Sequence, residues 1–555
     1  LLLPLALATP HLTPPMYGDE PFHLMMLEAI TRHHSVDLQR HFGLSFELAR
    51  LYSPGLAVLL LPGWLLAGRS GALALLALTG AGLVALVARR AEMLGLSRPD
   101  RAVLTTVVLL TYPLATFCTQ IWVEVVGGLV AVTGLVLAAT VPTRRTWIAV
   151  LAALATGVKT RLALVCFPPA IAAWWPSRRR AWWLGALVLG TAAAGGAGVA
   201  WVFQGHPFGP YRRLHDLLPA DWRQPLIVIG GLVFDPAGGL LFAAPLVLLG
   251  LAGGPALWRD GSRAERGLVV GAGVTVLALL HSIEWYGGGS PPFRYLVPLL
   301  PLFALAWVPL LRRWAPARHL AWVLVPPSLL LAWVLVSRPS LSVNPGMGAW
   351  WLSSAIARRL QADTWAFFPS FLRLSAASWQ VPVGVVVVAA GVLATVFWRP
   401  RSARALAMMA VALWLVAAAG LAGAVRARHD RVVEAEAPQV TRRGGSPVPP
   451  EGTFSSFTYR NGWRLQDGDG ITVPLHLPAG GTVRLTGWLE GPAQDGALVL
   501  ADWGSGAGPG VTVGGHEIAG IEIPSPPSGG RLRLRLDLRS ARGGALVIDR
   551  LEVAR

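Results

Sequence analysis

Long apolar runs recur through the first 424 residues, and many of them end at short arginine clusters such as Arg89-Arg90 and Arg312-Arg313. Uncharged apolar runs of this kind are typical of transmembrane helices, and basic residues collect in the cytoplasmic loops between such helices. Only 14% of the residues are charged, whereas a soluble domain carries about 25%. The pattern therefore predicts a mainly α, polytopic membrane protein.

Placing the arginine clusters inside makes the spans alternate between the two sides of the membrane. The apolar runs lie near 71–88, 103–118, 125–141, 146–157, 162–175, 182–203, 240–257, 267–281, 296–311, 318–336, 381–398 and 404–424. Residues 1–10 resemble the outer end of a truncated first helix, which gives about 13 spans and an external C-terminus. The run 53–68 breaks the alternation, so its Pro and Gly residues predict a re-entrant or interfacial helix.

The net charge of +18 comes from the loops of this apolar part, because the chain beyond residue 430 is close to neutral. Basic clusters between apolar runs fit a cytoplasmic membrane surface better than a nucleic acid, so membrane lipids are expected partners and nucleic acid is not. Cys118 and Cys166 both lie in apolar runs, and they predict neither a disulfide framework nor a metal site.

The C-terminal part has a different pattern. Residues 429–450 are rich in Pro, Gly and Arg and predict a linker after a membrane domain at 1–428. In 451–555, short runs alternate apolar and polar residues between Gly/Pro turns, which predicts an antiparallel, jelly-roll-like β-sandwich outside the membrane. Trp463, Trp488 and Trp503 either stack on sugars or belong to its core.

The first outer loop, 10–50, contains the adjacent acids Asp19 and Glu20 ahead of a helical apolar stripe. Pro21 fits the first turn of an interfacial helix, and Asp19 fits its N-terminal cap. Asp19 is either only this cap or a general base at the membrane surface that deprotonates an acceptor hydroxyl. Position alone leaves both readings open.

Three further charged residues fall on the same predicted side. Glu124 opens the fourth span, where it is either a wet interfacial acid or a group that orients a substrate hydroxyl, a cation or a basic partner. Lys159 and Arg161 interrupt a hairpin of apolar runs. They either extend to the interface from a membrane position or clamp the phosphate of a leaving group.

Two later outer segments, 205–223 and 281–303, combine polar, aromatic and glycine residues. Their candidate ligands for a donor phosphate or sugar are Tyr211, Arg212, His281, Glu284, Arg294 and Tyr295. The first segment could also attract lipid phosphates without specificity, and the second could be a structural loop.

In this order, the features resemble the GT-C superfamily of polytopic glycosyltransferases, which includes protein O-mannosyltransferases and the lipid A aminoarabinose transferase. The resemblance covers roughly residues 1–424. It rests on the Asp19-Glu20 pair, the Pro-containing run at 53–68, Glu124, Lys159 and the entry "RYLVPLLP" at 294–301. Where the protein mannosyltransferases have His-Pro-Pro after the acids, this chain has "YSPG" at 52–55, a departure that bears on the substrate.

The resemblance implies an inverting transferase in the plasma or inner membrane that uses a polyprenyl-phosphate sugar. Asp19 would be its base, with Glu20 and Glu124 in the same site, and a lipid, glycan or protein its acceptor. The alternatives are a transporter or flippase of lipid-linked sugars and a non-catalytic scaffold. No cofactor is expected, although Asp19, Glu20 and Glu124 could together hold a divalent ion.

Overall fold

The computed structural model describes most of the first 342 residues and the strands near the C-terminus. Its ranges are 19–44, 52–109, 111–141, 145–174, 223–235, 239–280, 290–314 and 316–342, short pieces between 186 and 201, positions 285, 287, 352 and 371, and eleven strands between 432 and 554. The chain divides into two compact units, one over Leu1–Val233 and Gly238–Pro345, and one over Phe234–Ala237 and Gly346–Arg555. The division thus falls earlier than the predicted boundary at 428.

The first unit is helical in its described part. Its helices are α1 (Glu20–His33), α2 (Leu38–Phe42), α3 (Gly55–Met93), α4 (Arg98–Leu109), α5 (Leu114–Cys118), α6 (Glu124–Thr140), α7 (Arg145–Val158), α8 (Ala163–Trp174), α9 (Arg223–Phe234), α10 (Leu240–Ala243), α11 (Pro245–Leu251), α12 (Gly254–Asp260), α13 (Arg263–Leu279), α14 (Leu300–Arg313) and α15 (Pro316–Ser337). Short 3₁₀ turns at Thr160–Leu162, Arg294–Leu299 and Pro339–Ser342 precede or follow them.

Helix α1 forms where the sequence predicts an interfacial helix. Proline stands in its first turn, and Met26, Leu27 and Ala29 are buried along one side, at the spacing that a helix needs to bury a stripe. The helix ends at His34, which is left-handed with φ 49°. The opposite side of the last turn stays exposed, so α1 is amphipathic.

Helix α3 consists of two segments that meet at a sharp bend. Ala67 and Gly68 leave the helical conformation, and Gly68 has φ 56°, a region that favours glycine. The segments return close to each other, because a Cβ added at Gly63 would overlap the carbonyl oxygen of Gly71. The bend ends the first segment where the sequence predicts the end of a separate helix, 53–68.

Within the described residues, three helical stretches are long and apolar enough to cross a membrane, which fits a membrane protein. They are Gly55–Met93, Arg294–Arg313 and Ala317–Ser337. Shorter apolar helices cover Glu124–Thr140, Thr146–Val158, Thr160–Ala173 and Pro225–Phe234. The count of about 13 spans stays a prediction, since the runs 381–398 and 404–424 lie outside the described residues.

Two predicted spans are interrupted, and one helix was missed. The run 103–118 is divided between α4 and α5, and 240–257 is divided among α10, α11 and α12 because Ala244 and Gly253 interrupt the helices. Helix α9 has no counterpart among the predicted spans: it follows the predicted outer segment 205–223, and its apolar part covers 225–234.

The second unit contains the strands. They are β1 (Val432–Glu434), β2 (Thr441–Arg443), β3 (Ser446–Glu451), β4 (Arg460–Leu465), β5 (Gly470–Leu477), β6 (Thr482–Glu490), β7 (Ala497–Asp502), β8 (Gly510–Val513), β9 (Glu517–Pro524), β10 (Gly530–Arg539) and β11 (Ala545–Ala554). They pair antiparallel into two sheets, one in the order β3-β4-β11-β6-β9 with β1 also on β11, the other in the order β2-β5-β10-β7-β8.

The strands begin before the predicted domain boundary. Strands β1, β2 and β3 lie in or across the range 429–450, which the sequence assigned to a linker, and each pairs with a strand of the domain. These three strands are therefore part of the sheets rather than of a linker.

The described side chains of the sheets follow the expected period of two. In β10, Leu534 and Leu536 are buried and Arg535 is exposed; in β9, Ile523 is buried and Glu522 is exposed. Each sheet thus has one apolar face. The packing of the two faces as a jelly-roll-like sandwich stays a prediction.

Candidate active site

The N-terminus of α1 presents Asp19 to other helices rather than to its own backbone. The backbone carbonyl of Asp19 accepts hydrogen bonds from the amides of Phe22 and His23, both at 3.2 Å. Its side chain makes no capping hydrogen bond. The interpretation of Asp19 as only a helix cap is therefore wrong, and the carboxylate is committed to tertiary contacts.

Arg294 joins two carboxylates that are far apart in the sequence. Its Nη1 donates to Oδ1 of Asp19 at 3.3 Å, and its Nη2 donates to Oδ2 in a closer contact. Its Nε donates to Oε1 of Glu124 at 2.8 Å. The guanidinium also lies 4.6 Å from the centre of the Trp122 ring, within the range of a cation–π contact. Only 7% of Arg294 is exposed, so these partners replace water.

Glu124 begins helix α6 and is completely buried. The same oxygen that binds Arg294 also accepts from Nη2 of Arg161, whose guanidinium lies 4.6 Å from the centre of the Tyr295 ring. A buried carboxylate without partners would be strongly destabilised, so the two arginines explain why Glu124 is tolerated here. It is therefore not a wet interfacial acid.

Tyr52 and Lys159 complete the surroundings of Asp19. The Tyr52 hydroxyl donates to Oδ1 of Asp19 at 3.1 Å, and Nζ of Lys159 lies 5.2 Å from the centre of the Tyr52 ring. Burial alone would raise the pKa of Asp19, but the charges of Arg294 and Lys159 hold this pKa well below its ordinary value. Burial lowers the pKa of Lys159 to about 8.

The two adjacent acids have different partners. Glu20 is buried and accepts a hydrogen bond from Nε of Arg69 at 2.6 Å, just beyond the bend in α3. Asp19 instead binds Arg294. The two adjacent acids therefore face different arginines, and Glu20 anchors α1 to α3.

Arg294 and the side chains around it form a group that we call the Arg294 cluster. Its members are Asp19, Tyr52, Glu124, Lys159, Arg161 and Arg294. Within this described group, three basic side chains face two carboxylates, which leaves an excess of one positive charge at neutral pH. About 13% of the Asp19 side chain and 24% of the Arg161 side chain remain exposed, so the cluster is reachable at its edge. A partly dehydrated positive site of this kind suits an anionic group.

A second buried ion pair lies at the other end of the long helices. Arg90 donates to Oε1 of Glu265 at 2.5 Å, and the amide of Ser262 donates to the other carboxylate oxygen at 2.7 Å. Arg69 and Arg90 are separated by 21 residues of helix α3, a length of about 30 Å. This distance matches the hydrocarbon thickness of a bilayer, about 30 Å.

The predicted site residues divide into three groups. Those brought together are Asp19, Glu124, Lys159, Arg161, Arg294 and Tyr295. Glu20 adjoins them through α1. Those outside the described residues are Tyr211, Arg212, His281 and Glu284.

Four participants were missed by sequence reasoning: His23, Tyr52, Arg69 and Trp122. A usable signal existed for two of them. His23 stands four residues after Asp19, hence on the same helix face, and Arg69 is a single charge between two apolar runs. Tyr52 and Trp122 carry no such signal, because aromatic residues are frequent in buried helices.

The acids do not gather around one point. In the described part of the chain, no group of three or more His, Cys, Asp or Glu side chains is arranged to hold a metal ion. Asp19, Glu20 and Glu124 each face an arginine. These contacts offer no shared oxygen-lined position of the kind that a divalent ion prefers.

Comparison with known proteins identifies no family for this chain. No protein-family model and no curated protein matches the chain. Among solved structures, the CBM36-1 domain of a multidomain xylanase from the hindgut metagenome of Trinervitermes trinervoides matches 22% of this chain and 95% of its own, at 17% identity and a TM-score of 0.17. At this TM-score the likeness carries no argument about fold or function.

Proposed function

We propose that this protein is a membrane glycosyltransferase of the GT-C type, which transfers a sugar from a polyprenyl-phosphate donor to an acceptor hydroxyl on the extracytoplasmic side. The observation that carries the proposal is the Arg294 cluster. It places a strongly acidic carboxylate, Asp19, beside three basic side chains at a partly exposed edge. Those are the groups needed for a base next to a phosphate leaving group.

In the proposed reaction, the acceptor oxygen forms a bond to the anomeric carbon of the sugar as the bond from that carbon to the donor phosphate breaks. The acceptor proton passes to Asp19, and the electron pair of the broken bond leaves with the polyprenyl phosphate. Attack opposite to the leaving group inverts the anomeric centre. Arg294, Lys159 and Arg161 stabilise the charge that develops on the phosphate.

The position of Arg294 imposes one condition on this scheme. While it binds Asp19, the pKa of that carboxyl is too low for efficient proton acceptance at neutral pH. A donor phosphate competes with Asp19 for the guanidinium. Transfer of the Arg294 hydrogen bonds to the phosphate would raise the pKa of Asp19 towards its ordinary value, so that the base becomes effective only when the donor is present.

The finer architecture belongs to the same proposal. We place about 13 spans in a plasma or inner membrane and a C-terminal β-sandwich outside it, where the domain helps to gather a lipid, glycan or protein acceptor. The apolar face of each sheet and the near-neutral charge of the region support a folded external domain. No catalytic group is expected from it.

The test is a transfer assay with full-length protein in detergent, using polyprenyl-phosphate mannose, glucose and arabinose that carry a radiolabel in the sugar. A membrane extract supplies lipid, glycan and protein acceptors. Asp19→Asn keeps the shape of the side chain and removes the base, so transfer should fall by about 10²–10⁴-fold. Glu265→Gln alters a buried ion pair at the other helix ends and serves as the matched control.

Three results would contradict the proposal. Wild-type turnover in Asp19→Asn would remove the assigned base. Equal losses in Asp19→Asn and Glu265→Gln would favour a scaffold in which both pairs only stabilise the fold. Movement of labelled lipid across vesicles without transfer of the sugar would favour a flippase.

A further inference from the structure

One buried side chain at the site has no role in the scheme above. His23 is 2% exposed, and neither ring nitrogen has a hydrogen-bond partner among the described residues. Buried polar atoms are nearly always hydrogen-bonded, and leaving one without a partner costs about 1–3 kcal/mol. An imidazole in this state is therefore a candidate for binding a ligand.

His23 lies beside the Arg294 cluster on the same face of α1 as Asp19. Its backbone amide binds the carbonyl of Asp19, and its ring meets the Tyr52 ring edge-on with centroids 5.6 Å apart. Tyr52 in turn binds Asp19. The charges of Asp19, Lys159, Glu124 and Arg294 all act on the ring. His23 is therefore close to both the assigned base and the assigned phosphate ligands.

The chemistry of the ring suits a hydroxyl group. Burial lowers the pKa of His23 to about 4, so the ring is neutral at physiological pH and carries one donor and one acceptor nitrogen. A hydroxyl is both a donor and an acceptor, so it can pair with either nitrogen.

Two more polar atoms of the cluster are also available to bind a ligand. Oε2 of Glu124 and Nε of Arg161 are buried and have no hydrogen-bond partner among the described residues. One is an acceptor and the other a donor. A polyhydroxylated ligand can satisfy this mixture, whereas an apolar chain cannot.

We propose that His23 binds a hydroxyl group of the donor's sugar ring and so helps to select and orient the sugar. The inference rests on the proposed function, because the sugar is joined directly to the phosphate that Arg294 and Lys159 would hold. The sugar ring then lies within a few ångströms of these residues, and His23 is their neighbour. His23 takes no proton in the reaction, and its role is binding.

The experiment compares two kinds of lipid, a bare polyprenyl phosphate and sugar-bearing polyprenyl phosphates, on full-length protein in detergent. Thermal unfolding is followed with increasing polyprenyl phosphate and with polyprenyl-phosphate mannose, glucose or arabinose. In the wild type, at least one sugar-bearing lipid should bind more tightly than the bare lipid phosphate. His23→Phe should weaken binding of that lipid about tenfold or more and leave the dissociation constant of polyprenyl phosphate unchanged.

Two further measurements keep the inference testable if His23→Phe folds poorly. His23→Gln retains a donor and an acceptor and should recover part of the affinity. In the wild type, deoxy analogues of the preferred sugar lipid should show about a tenfold loss at one hydroxyl position. That hydroxyl should no longer matter in His23→Phe and should matter less in His23→Gln than in the wild type, and the steady-state effect should fall on KM rather than kcat.

The outcomes distinguish a failure of this inference from a failure of the proposed function. If His23→Phe keeps the full advantage of the sugar-bearing lipid, or if the wild type binds both lipids equally, the assignment of His23 is overturned while lipid phosphate binding stands. If the wild type binds none of the four lipids, the proposed function fails and this inference fails with it.

Discussion

The protein buries charge at two ends of the same long helices, and the two places differ in how completely the charges are satisfied. At one end, both oxygens of Glu265 are bonded, one to Arg90 and the other to Ser262. At the other end, Glu124 shares one oxygen between two arginines, while its second oxygen has no partner within the described part of the chain.

This difference distinguishes a saturated ion pair from a candidate site. A saturated pair, as at Arg90 and Glu265, offers nothing to a ligand, and its role is to hold α3 against α13. The Arg294 cluster has an excess of positive charge, unmet polar atoms and an exposed edge. Since buried unpaired polar atoms are costly, such an arrangement persists where binding or catalysis requires it.

The largest expected effect is a difference in chemical labelling between the two ends of the helices, which we place on opposite sides of the membrane. Arg32 and Arg89 are exposed members of surface ion pairs, Arg32 on α1 and Arg89 at the other end of α3. In intact spheroplasts, a membrane-impermeant maleimide should label Arg32→Cys fully and Arg89→Cys only after lysis. The native cysteines, Cys118 and Cys166, are buried and contribute little background. The reverse pattern would put Asp19 on the cytoplasmic side.

A second comparison removes the central arginine from each place. Arg294→Ala leaves Asp19 and Glu124 buried without their shared partner, so we expect the free energy of unfolding to fall by about 3–5 kcal/mol. Arg90→Ala leaves Glu265 with its Ser262 bonds and should cost less. Denaturation in mixed detergent micelles measures the free energy of unfolding of both variants.

The sequence alone suggests that Arg294→Ala mainly weakens donor binding. The structure revises this expectation, because the folding defect would come first. Arg294→Lys keeps the charge, but loses the fork that reaches both carboxylates. It is therefore the variant in which a raised KM for the donor can be measured. A larger loss of stability in Arg90→Ala than in Arg294→Ala would reverse the comparison between the two places.

The smallest expected effect is a decline in stability that begins near pH 6.5 and arises beside the Arg294 cluster, at His23. The pKa of His23 is about 4 in the folded protein and 6.5 in its ordinary state, so the unfolded chain binds the proton first as the pH falls. Stability should therefore decline between pH 6.5 and pH 4, by up to about 3 kcal/mol. Asp19 adds to this decline only near pH 4, where the unfolded carboxyl, with its ordinary pKa of 3.8, begins to bind a proton that the folded carboxyl does not.

His23→Gln should flatten the upper part of this decline, near pH 6.5. Glu265→Gln should flatten only the part near pH 4.5, because the pKa of Glu265 is lowered from its ordinary value of 4.5 in the folded protein. The midpoint of thermal unfolding, measured in steps from pH 7 to pH 4, provides the test. An equally steep decline in His23→Gln would mean that another group takes up the proton.

The helices were predictable where the apolar runs were long and ended at charges. Helices α6, α7, α8 and α15 lie within a few residues of the predicted runs, since hydropathy and arginine position are local properties. The divided helices near 103–118 and 240–257 were not predictable in this way. Hydropathy averages over a window and does not register a local break in the backbone.

The sequence by itself determined that this chain has membrane-length apolar helices, an amphipathic helix after Asp19 and paired strands near its C-terminus, because the periodicity and length of apolar runs dictate these elements. Only the tertiary structure decided which charges meet. Asp19 and Arg294 are 275 residues apart, and nothing local in either segment specifies that pairing. The partner of a buried charge is set by helix packing, since each carboxylate must find a cation wherever the fold removes it from water.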